Sequence, residues 1–200
     1  MNPSKIVITG TIASGKSTLS KLLKELGYKV LSSDDINREL LEKGEANYQA
    51  IKDSNLFNEA FIEDKLDKKK LAKIIFSDKE KLEILNKLTH KNILNRIDYL
   101  VKYSKEKVVF IEIPLYFQLK ERFDNDQVWL VVADYQTQLE RLMQRDNIDL
   151  VYAKAKIQTQ QDLIRMKANS DVVFDNSSSI EELKEQLKQV LEDKDLLWKF

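Results

Sequence analysis

The sequence predicts an α/β fold of three layers, in which a five-stranded parallel sheet is flanked by helices on both faces. Short, almost continuously apolar segments alternate with longer segments whose apolar residues recur every three or four positions. Continuous apolar strands separated by helices are typical of a parallel sheet that is buried on both faces. The candidate strands cover residues 6–9, 28–31, 108–113, 128–133 and 172–174.

The first 35 residues predict a strand, a loop, a helix and a second strand. Residues 6–9 are a β-branched run followed by a glycine turn. The following segment has the apolar spacing of an amphipathic helix, with Leu19, Leu22, Leu23 and Leu26. Gly27 stands where a glycine commonly ends a helix. Because a helix joins the two strands, they are predicted to be parallel.

Residues 36–105 are predicted to be helical. Breaks are expected near Gly44 and Asn55, and the apolar spacing over residues 78–103 predicts one long helix. Residues 77–80 and 137–140 each match a capping box, in which the first residue, Ser or Thr, begins the helix. A last helix is predicted over residues 179–192. Since the chain has neither repeats nor a low-complexity linker, residues 1–200 are interpreted as one domain.

The composition excludes several classes of protein. The 33 Lys and Arg residues balance the 33 Asp and Glu residues, which argues against a nucleic-acid or anionic-membrane binder. The absence of Cys excludes disulfides and cysteine metal sites, and a single His excludes a histidine-rich metal site. No apolar stretch approaches the roughly 20 residues that span a bilayer. A cytoplasmic location is therefore the default expectation.

Residues 10–17 match the phosphate-loop pattern G-x-x-x-x-G-K-S/T at every fixed position. The matched residues are Gly10, Thr11, Ile12, Ala13, Ser14, Gly15, Lys16 and Ser17. Glycines let the backbone approach phosphate oxygens closely, and consecutive N–H groups at a helix N-terminus bind those oxygens. In this pattern Lys16 reaches the β- and γ-phosphates, the Ser17 hydroxyl ligates Mg²⁺, and Thr18 supports the turn. Residues 11–18 are therefore predicted to bind a nucleoside triphosphate with Mg²⁺.

Two carboxylates follow the second predicted strand, Asp34 and Asp35. Ligands of parallel α/β sheets gather at the carboxyl ends of the strands. A carboxylate there can orient an acceptor hydroxyl and accept its proton, and Asp34 is favoured for this role over Asp35. The alternative is that both carboxylates stabilise the N-terminus of the next helix.

Arg141 and Arg145 lie four residues apart and share one face of a predicted helix. Two such guanidinium groups suit a mobile lid that neutralises a transferring phosphate. The alternative is an exposed face that makes ordinary ion pairs with Glu140 or Asp146, and the spacing alone leaves both open. The single histidine, His90, is predicted to be partly buried on the long helix.

Taken in order, several short segments resemble the dephospho-coenzyme A kinase family. Many nucleotide-binding proteins share the phosphate loop, but this ordered series extends across nearly the whole chain and is far more specific. The matching segments are residues 8–18, 27–34, 38, 85–90, 113–116, 138–146, 156–160 and 171–176.

The resemblance implies a three-layer P-loop kinase fold with a helical substrate-binding insertion at about residues 41–104 and a helical lid at about residues 141–168. It implies ATP- and Mg²⁺-dependent phosphorylation of the ribose 3′-hydroxyl of dephospho-coenzyme A, the final step of coenzyme A biosynthesis. Dephospho-coenzyme A is the expected small-molecule partner, and neither nucleic acid nor a membrane is expected.

Residue roles follow from the same resemblance. Lys16, Asp34 and Arg141 are the candidate catalytic residues, with Asp34 as the base and Arg141 near the ATP phosphates. Asn176 lies in the segment that resembles the loop beside the ATP adenine, which implies a contact with ATP. The residues assigned to the acceptor side are Asp34, Arg38 and His90.

The chain departs from the family pattern at a few positions. Ser32, Lys91, Gln118 and Lys156 stand where Asp, Pro, an acidic residue and Arg are common. Two other interpretations are kept: another P-loop kinase acting on a small molecule or a nucleoside monophosphate, and a non-catalytic nucleotide-dependent switch. The sequence has no Asn-Lys-x-Asp motif for guanine, which counts against a GTP-dependent switch.

Overall fold

The computed structural model describes residues 3–119, 123–158 and 163–196. The chain divides into two compact units. The core unit consists of Met1–Leu31 and Ser104–Phe200, and the inserted unit consists of Ser32–Tyr103. The inserted unit thus contains the segment predicted as the substrate-binding insertion but begins earlier in the chain than residue 41. The interpretation of residues 1–200 as a single domain with a lid at about residues 141–168 stays a prediction.

Helices and strands alternate along the core unit, whereas the inserted unit consists mostly of helices. In chain order they are β1 (Ser4–Gly10), α1 (Lys16–Glu25), β2 (Lys29–Ser32), α2 (Ser33–Leu40), α3 (Ala46–Ser54), β3 (Phe61–Ile62), β4 (Lys65–Leu66), α4 (Lys68–Ser77), α5 (Lys79–Lys102), β5 (Val108–Glu112), β6 (Gln127–Val132), α6 (Tyr135–Asp146), α7 (Leu150–Gln158), α8 (Leu163–Ala168), β7 (Val172–Asp175) and α9 (Ile180–Asp193). Short 3-10 turns occupy Asn58–Ala60 and Tyr116–Gln118.

Within the described residues, the larger sheet has five strands in the order β2-β5-β1-β6-β7. Strand β1 pairs in parallel with both β5 and β6, and β6 pairs in parallel with β7. The predicted five-stranded parallel sheet flanked by helices is confirmed. Because β1 is the central strand, its carboxyl end lies between two neighbours, with Ile8 opposite Glu112 and Gly10 opposite Val131.

The core unit is held by apolar side chains of the sheet and of helices α1 and α9. Trp129 is fully buried, and its ring lies 5.0 Å from that of Phe110 and 5.3 Å from that of Phe174, measured between centroids. Aromatic pairs at these distances add to the stabilisation from buried area. The cluster fixes the strands that carry the loop after β1.

The inserted unit has its own apolar core. Buried residues from α3, α4 and α5 meet there, including Ile51, Leu71 and Leu85. The β3–β4 hairpin adds Phe61 and Leu66 to the edge of this cluster. Each helix therefore buries one face, as the apolar spacing predicts.

The structure corrects three details of the sequence analysis. Asp78 and Asp134, not the Ser and Thr of the predicted capping boxes, are the N-caps of α5 and α6. The side chain of Asp78 accepts hydrogen bonds from two backbone N–H groups, and that of Asp134 accepts one, so a carboxylate satisfies the free donors in both cases. The hairpin β3–β4 interrupts a region predicted to be entirely helical.

None of the described helices is both long and apolar enough to cross a bilayer.

Candidate active site

The loop between β1 and α1 has the backbone conformation that its two glycines allow. Gly15 has φ of +94°, a left-handed conformation that L side chains rarely adopt. A Cβ built on Gly15 would lie 2.0 Å from Nδ2 of Asn176, and one on Gly10 would lie 2.2 Å from the backbone oxygen of Val131. Glycine is therefore required at both positions, at Gly15 for backbone angle and space together and at Gly10 for space.

The same loop presents an anion-binding surface. Gly15 precedes α1 as its N-cap and supplies no side-chain acceptor, and the first turn of α1 contains no acidic residue. The positive end of the helix dipole is therefore left for an external anion. The side-chain oxygens of Thr11 and Ser14 are buried and have no hydrogen-bond partner within the described part of the chain. These features fit the phosphate groups of a nucleoside triphosphate.

Lys16 lies along this loop. Its Nζ donates hydrogen bonds to the backbone oxygens of Gly10, at 3.1 Å, and Thr11, at 2.8 Å. These bonds hold the ammonium group on the loop, where the motif requires it. The side chain of Ser17 is exposed, and that of Thr18 is partly buried in the first turn of α1.

The residues also fit Mg²⁺. No group of three or more His, Asp or Glu side chains in the described residues could hold a metal ion by itself. Mg²⁺ usually keeps several water ligands and binds one or two protein groups together with substrate phosphates, so it does not need such a cluster. The exposed hydroxyl of Ser17, at the start of α1, is a suitable protein ligand.

Ile12 and Ala13, at the tip of the loop, pack against helices α6 and α7. They contact an apolar cluster that contains Leu139, Leu142 and Ala153. Their side chains therefore anchor the loop to the helices that follow β6. Since their side chains pack against these helices, the predicted contacts of Ile12 and Ala13 with ATP would come from their backbone N–H groups. These contacts stay a prediction.

Arg141 and Arg145 have different partners, although both lie on α6. The Nη1 atom of Arg141 donates to the backbone oxygen of Asn176 at 2.8 Å. Arg145 makes an ion pair with Asp146, which also pairs with Lys156 of α7 at 2.9 Å. Contacts with Arg145 and then Lys156 lower the pKa of Asp146 to about 2. Of the two arginines, Arg145 fits the ion-pair interpretation, while Arg141 is the one directed to the loop after β7.

Asn176 lies directly after β7 and is buried, with 5% of its surface exposed. Its Nδ2 atom donates to the backbone oxygen of Ser14 at 2.8 Å, and its backbone N–H donates to the oxygen of Val132 at 2.8 Å. The described side-chain contact is thus with the phosphate loop. The contact with ATP implied by the resemblance stays a prediction.

Two residues assigned to the acceptor side, Asp34 and Arg38, lie on α2 in the inserted unit. Ser32 caps this helix by accepting a hydrogen bond from the N–H of Asp35, and Asp34 is exposed in the first turn. Arg38 is exposed as well, and its Nη1 donates to Oδ1 of Asp35 at 2.8 Å. The hydroxyl of Ser32 therefore serves as the cap, a role that Asp also performs, so this departure from the family pattern leaves the helix start intact.

His90, the third of these residues, lies on α5 and is partly buried, as predicted. Lys91 follows it on the exposed side, and α5 continues without interruption from Lys79 to Lys102. The helix therefore keeps its regular path through the position where the family often has proline. The structure places His90 and Arg38 on two helices of one compact unit.

Sequence reasoning missed Glu112, which ends β5. Its Oε2 atom accepts a hydrogen bond of 2.6 Å from the hydroxyl of Ser20, one turn after Ser17 on α1. The available signal was a single acidic residue at the carboxyl end of an otherwise apolar strand. In phosphate-loop proteins a strand carboxylate commonly helps the loop Ser or Thr to hold Mg²⁺.

The family model described as dephospho-CoA kinase matches residues 5–182. The chain belongs to the dephospho-CoA kinase family. A curated relative of that name from Carboxydothermus hydrogenoformans is 38% identical over 190 residues, which are 94% of this chain and 92% of the relative. Family membership makes this chain a kinase, a phosphotransferase with ATP as the donor, as the sequence predicted.

Solved structures agree with this assignment. A crystal structure from Thermus thermophilus superposes with a TM-score of 0.81 at 30% identity and covers 96% of this kinase and 98% of that chain. Dephospho-CoA kinase from Campylobacter jejuni superposes with a TM-score of 0.63 at 29% identity and covers 96% and 97%. The kinase and its relatives therefore share the fold along almost their full lengths.

Proposed function

We propose that this kinase transfers the γ-phosphoryl group of ATP to the ribose 3′-hydroxyl of dephospho-coenzyme A. The observation that carries the proposal is the family match over residues 5–182, which includes the complete phosphate loop. Relatives named dephospho-CoA kinase are 33–38% identical over nearly all of this chain, and the reaction is carried over from that name.

Phosphoryl transfer needs mainly positioning and neutralisation of charge, with little covalent chemistry from the protein. In this proposal the backbone N–H groups of residues 11–18 bind the β- and γ-phosphates, and Lys16 follows the negative charge as it shifts during transfer. Mg²⁺, when bound by Ser17, neutralises charge on the same phosphates. The contacts of Lys16 with the oxygens of Gly10 and Thr11 support this role, because they hold its ammonium group on the loop.

Arg141 is proposed to neutralise the transferring group from α6. Its bond to the backbone oxygen of Asn176 leaves other guanidinium N–H donors for a phosphate oxygen, because arginine carries five of them. Closure of a lid at about residues 141–168 would exclude water and limit wasteful hydrolysis of ATP.

On the acceptor side, Asp34 is proposed to orient the 3′-hydroxyl and to accept its proton. Asp34 follows the carboxyl end of β2, the edge strand of the same parallel sheet, and its side chain is exposed. Arg38 and His90 are proposed to bind the acceptor. Arg38 makes an exposed ion pair with Asp35 through one nitrogen. Such a surface pair is weak enough for a phosphate of the acceptor to replace it.

A panel of acceptors tests this function. The purified kinase is incubated with MgATP and with dephospho-coenzyme A, nucleoside monophosphates or shikimate, and the products are identified by mass. Phosphorylated dephospho-coenzyme A is expected to form with a far higher kcat/KM than any other product. Preference for another acceptor would overturn the proposed substrate, and ATP hydrolysis without any phosphorylated acceptor would favour a switch.

A further inference from the structure

Asn176 connects two parts of the ATP-binding machinery that are far apart in the sequence. Its side-chain amide donates to the backbone oxygen of Ser14 in the phosphate loop, and its backbone oxygen accepts from Arg141 on α6. The strand β7 places it there, because the backbone N–H of Asn176 continues the pairing with β6 through the oxygen of Val132. The residue is buried, so its bond to Ser14 forms away from competing water.

The bond to Ser14 fixes the orientation of one peptide group. In a trans peptide the C=O and N–H point in opposite directions, so holding the oxygen of Ser14 directs the N–H of Gly15 to the other side of the peptide plane. This peptide is the one whose rotation glycine makes easiest, since Gly15 has no Cβ and has φ of +94°. Rotated by half a turn, it would present a carbonyl oxygen to the bound anion in place of a donor.

The contact is also close. A Cβ on Gly15 would lie 2.0 Å from Nδ2 of Asn176 and 3.3 Å from its Cγ, so the amide lies directly against the Cα of Gly15. Asn176 thus occupies the space that a side chain at position 15 would need. The amide of Asn176 can therefore take this position only because residue 15 has no side chain.

We propose that Asn176 is a positioning residue that prevents rotation of the Ser14–Gly15 peptide and so keeps the N–H of Gly15 available for a phosphate oxygen. Through its backbone oxygen it also holds the guanidinium group of Arg141. This role rests on the proposed function of the loop as an ATP site, and it assigns the side chain to the loop and not to adenine. It requires the amide N–H, which an aspartate of the same shape lacks.

Direct binding of MgATP without any acceptor tests the proposal. Asn176→Asp replaces the donor with a carboxylate oxygen facing the oxygen of Ser14, and MgATP affinity measured by calorimetry is expected to fall roughly tenfold or more. In steady-state assays the KM for MgATP is expected to rise, while the KM for dephospho-coenzyme A changes less than about twofold. MgATP affinity within about twofold of wild type would overturn the proposal.

Asn169→Asp is the matched control. The amide of Asn169 also donates to a backbone oxygen at 2.8 Å, that of Arg165, but Asn169 is exposed beyond the end of α8. Its MgATP affinity is expected to stay within about twofold of wild type. Equal losses in both variants would show a general effect of the added charge and would overturn the specific role of Asn176.

A second pair of variants covers the case in which Asn176→Asp does not fold. Gly15→Ala is expected to lower the thermal unfolding midpoint, because φ of +94° disfavours any side chain and because the new methyl group also collides with the amide of Asn176. Asn176→Ala removes that amide, so the double variant is expected to unfold at a higher temperature than Gly15→Ala alone. Additive losses would contradict the close contact and with it the proposed role.

The two proposals fail in different ways. If wild-type protein binds MgATP but does not phosphorylate dephospho-coenzyme A, the proposed substrate fails while the calorimetry still tests Asn176. If dephospho-coenzyme A is phosphorylated and Asn176→Asp binds MgATP normally, the role of Asn176 fails and the substrate assignment stands.

Discussion

The hydroxyl of Ser20 donates a 2.6 Å hydrogen bond to Oε2 of Glu112, joining the first helix to the strand beside β1. Ser20 is buried and Glu112 is partly buried, so the carboxylate is held in a fixed place under the second turn of α1. Ser17, the proposed ligand of Mg²⁺, lies one turn earlier on the same helix. Ser20 thus connects Glu112 to the helix that begins with the proposed Mg²⁺ ligand, and we expect the charge of Glu112 to assist Mg²⁺ binding.

Glu112→Gln is expected to raise the Mg²⁺ concentration for half-maximal activity and to lower kcat by about tenfold or more, because the negative charge proposed to assist Mg²⁺ binding is lost. Ser20 can still donate to the amide oxygen, so the fold is expected to persist. Activity measured against Mg²⁺ concentration checks this, with the exposed Glu185→Gln on α9 as control. If the dependence of activity on Mg²⁺ concentration is unchanged, Glu112 serves only to hold Ser20 in place.

Lys16→Ala is expected to lower kcat/KM by at least about a thousandfold while leaving the fold intact, because it removes the ammonium group that follows the transferring charge. Its effect on unfolding temperature is expected to be small. Lys21→Ala, on the exposed face of α1 where Lys21 pairs weakly with Glu25, is the control and is expected to keep near-normal turnover. Single-turnover assays and thermal unfolding measure the two effects, and wild-type rates for Lys16→Ala would refute the assignment.

Asp34→Asn is expected to lower kcat by about a hundredfold or more and to leave MgATP affinity almost unchanged, because its proposed partner is the acceptor hydroxyl. Asp35→Asn is the neighbouring comparison, since Asp35 pairs with Arg38 at the surface. It is expected to keep most of kcat. If the two variants behave alike, or if Asp34→Asn retains kcat and only unfolds more easily, Asp34 acts as a first-turn helix carboxylate.

The sheet and the loop could be predicted because their signals are local. The strand cores are short apolar runs, and the phosphate loop requires its residue types at fixed spacing. The hairpin β3–β4 could not be predicted, because its two-residue turn consists of Glu63 and Asp64, both with positive φ, where Asn-Gly is the usual signal. Asp64 is held there by Lys43, Lys52 and Tyr48, which come from outside the hairpin and lower the pKa of its carboxyl.

The partners of the site residues are equally non-local. Asn176 and Ser14 are separated by 162 positions, and Glu112 and Ser20 by 92. No spacing in the sequence predicts such a pair, since the order of the strands in the sheet brings the two residues together. The sequence could therefore indicate that Arg141 and Asn176 matter, through resemblance, but not that they contact each other.

The ion pairs of Asp146 predict a pH dependence of stability. Its pKa is lowered to about 2 from an ordinary value near 3.8, so the folded state gains stability from the ionised carboxylate at neutral pH and loses it as the pH falls from about 4 towards 2. Asp146→Asn is expected to lower the unfolding midpoint by about 2–4 °C between pH 6 and 8. The difference is expected to shrink below about pH 4.

Thermal unfolding of both proteins from pH 8 to pH 3 measures this difference. Asp193→Asn is the control, because Asp193 is an exposed carboxylate on α9 that accepts a hydrogen bond from Gln189. If Asp146→Asn and the wild type have the same unfolding midpoint at neutral pH, this result would contradict a stabilising ion pair between α6 and α7.

Asn47 joins the helices that carry the acceptor-side residues. Its Nδ2 donates to Asn37 on α2 and its Oδ1 accepts from Asn92 on α5, each at 2.9 Å, and the residue is fully buried. Asn47→Ala leaves two amides without these partners and is expected to lower the free energy of unfolding by about 2 kcal/mol. Because α2 carries Arg38 and α5 carries His90, the KM for dephospho-coenzyme A is expected to rise while MgATP affinity stays constant. Urea unfolding, calorimetry and steady-state kinetics measure these effects, with the exposed Asn58→Ala as control. A loss of stability with both substrate constants unchanged would limit Asn47 to holding the inserted unit together.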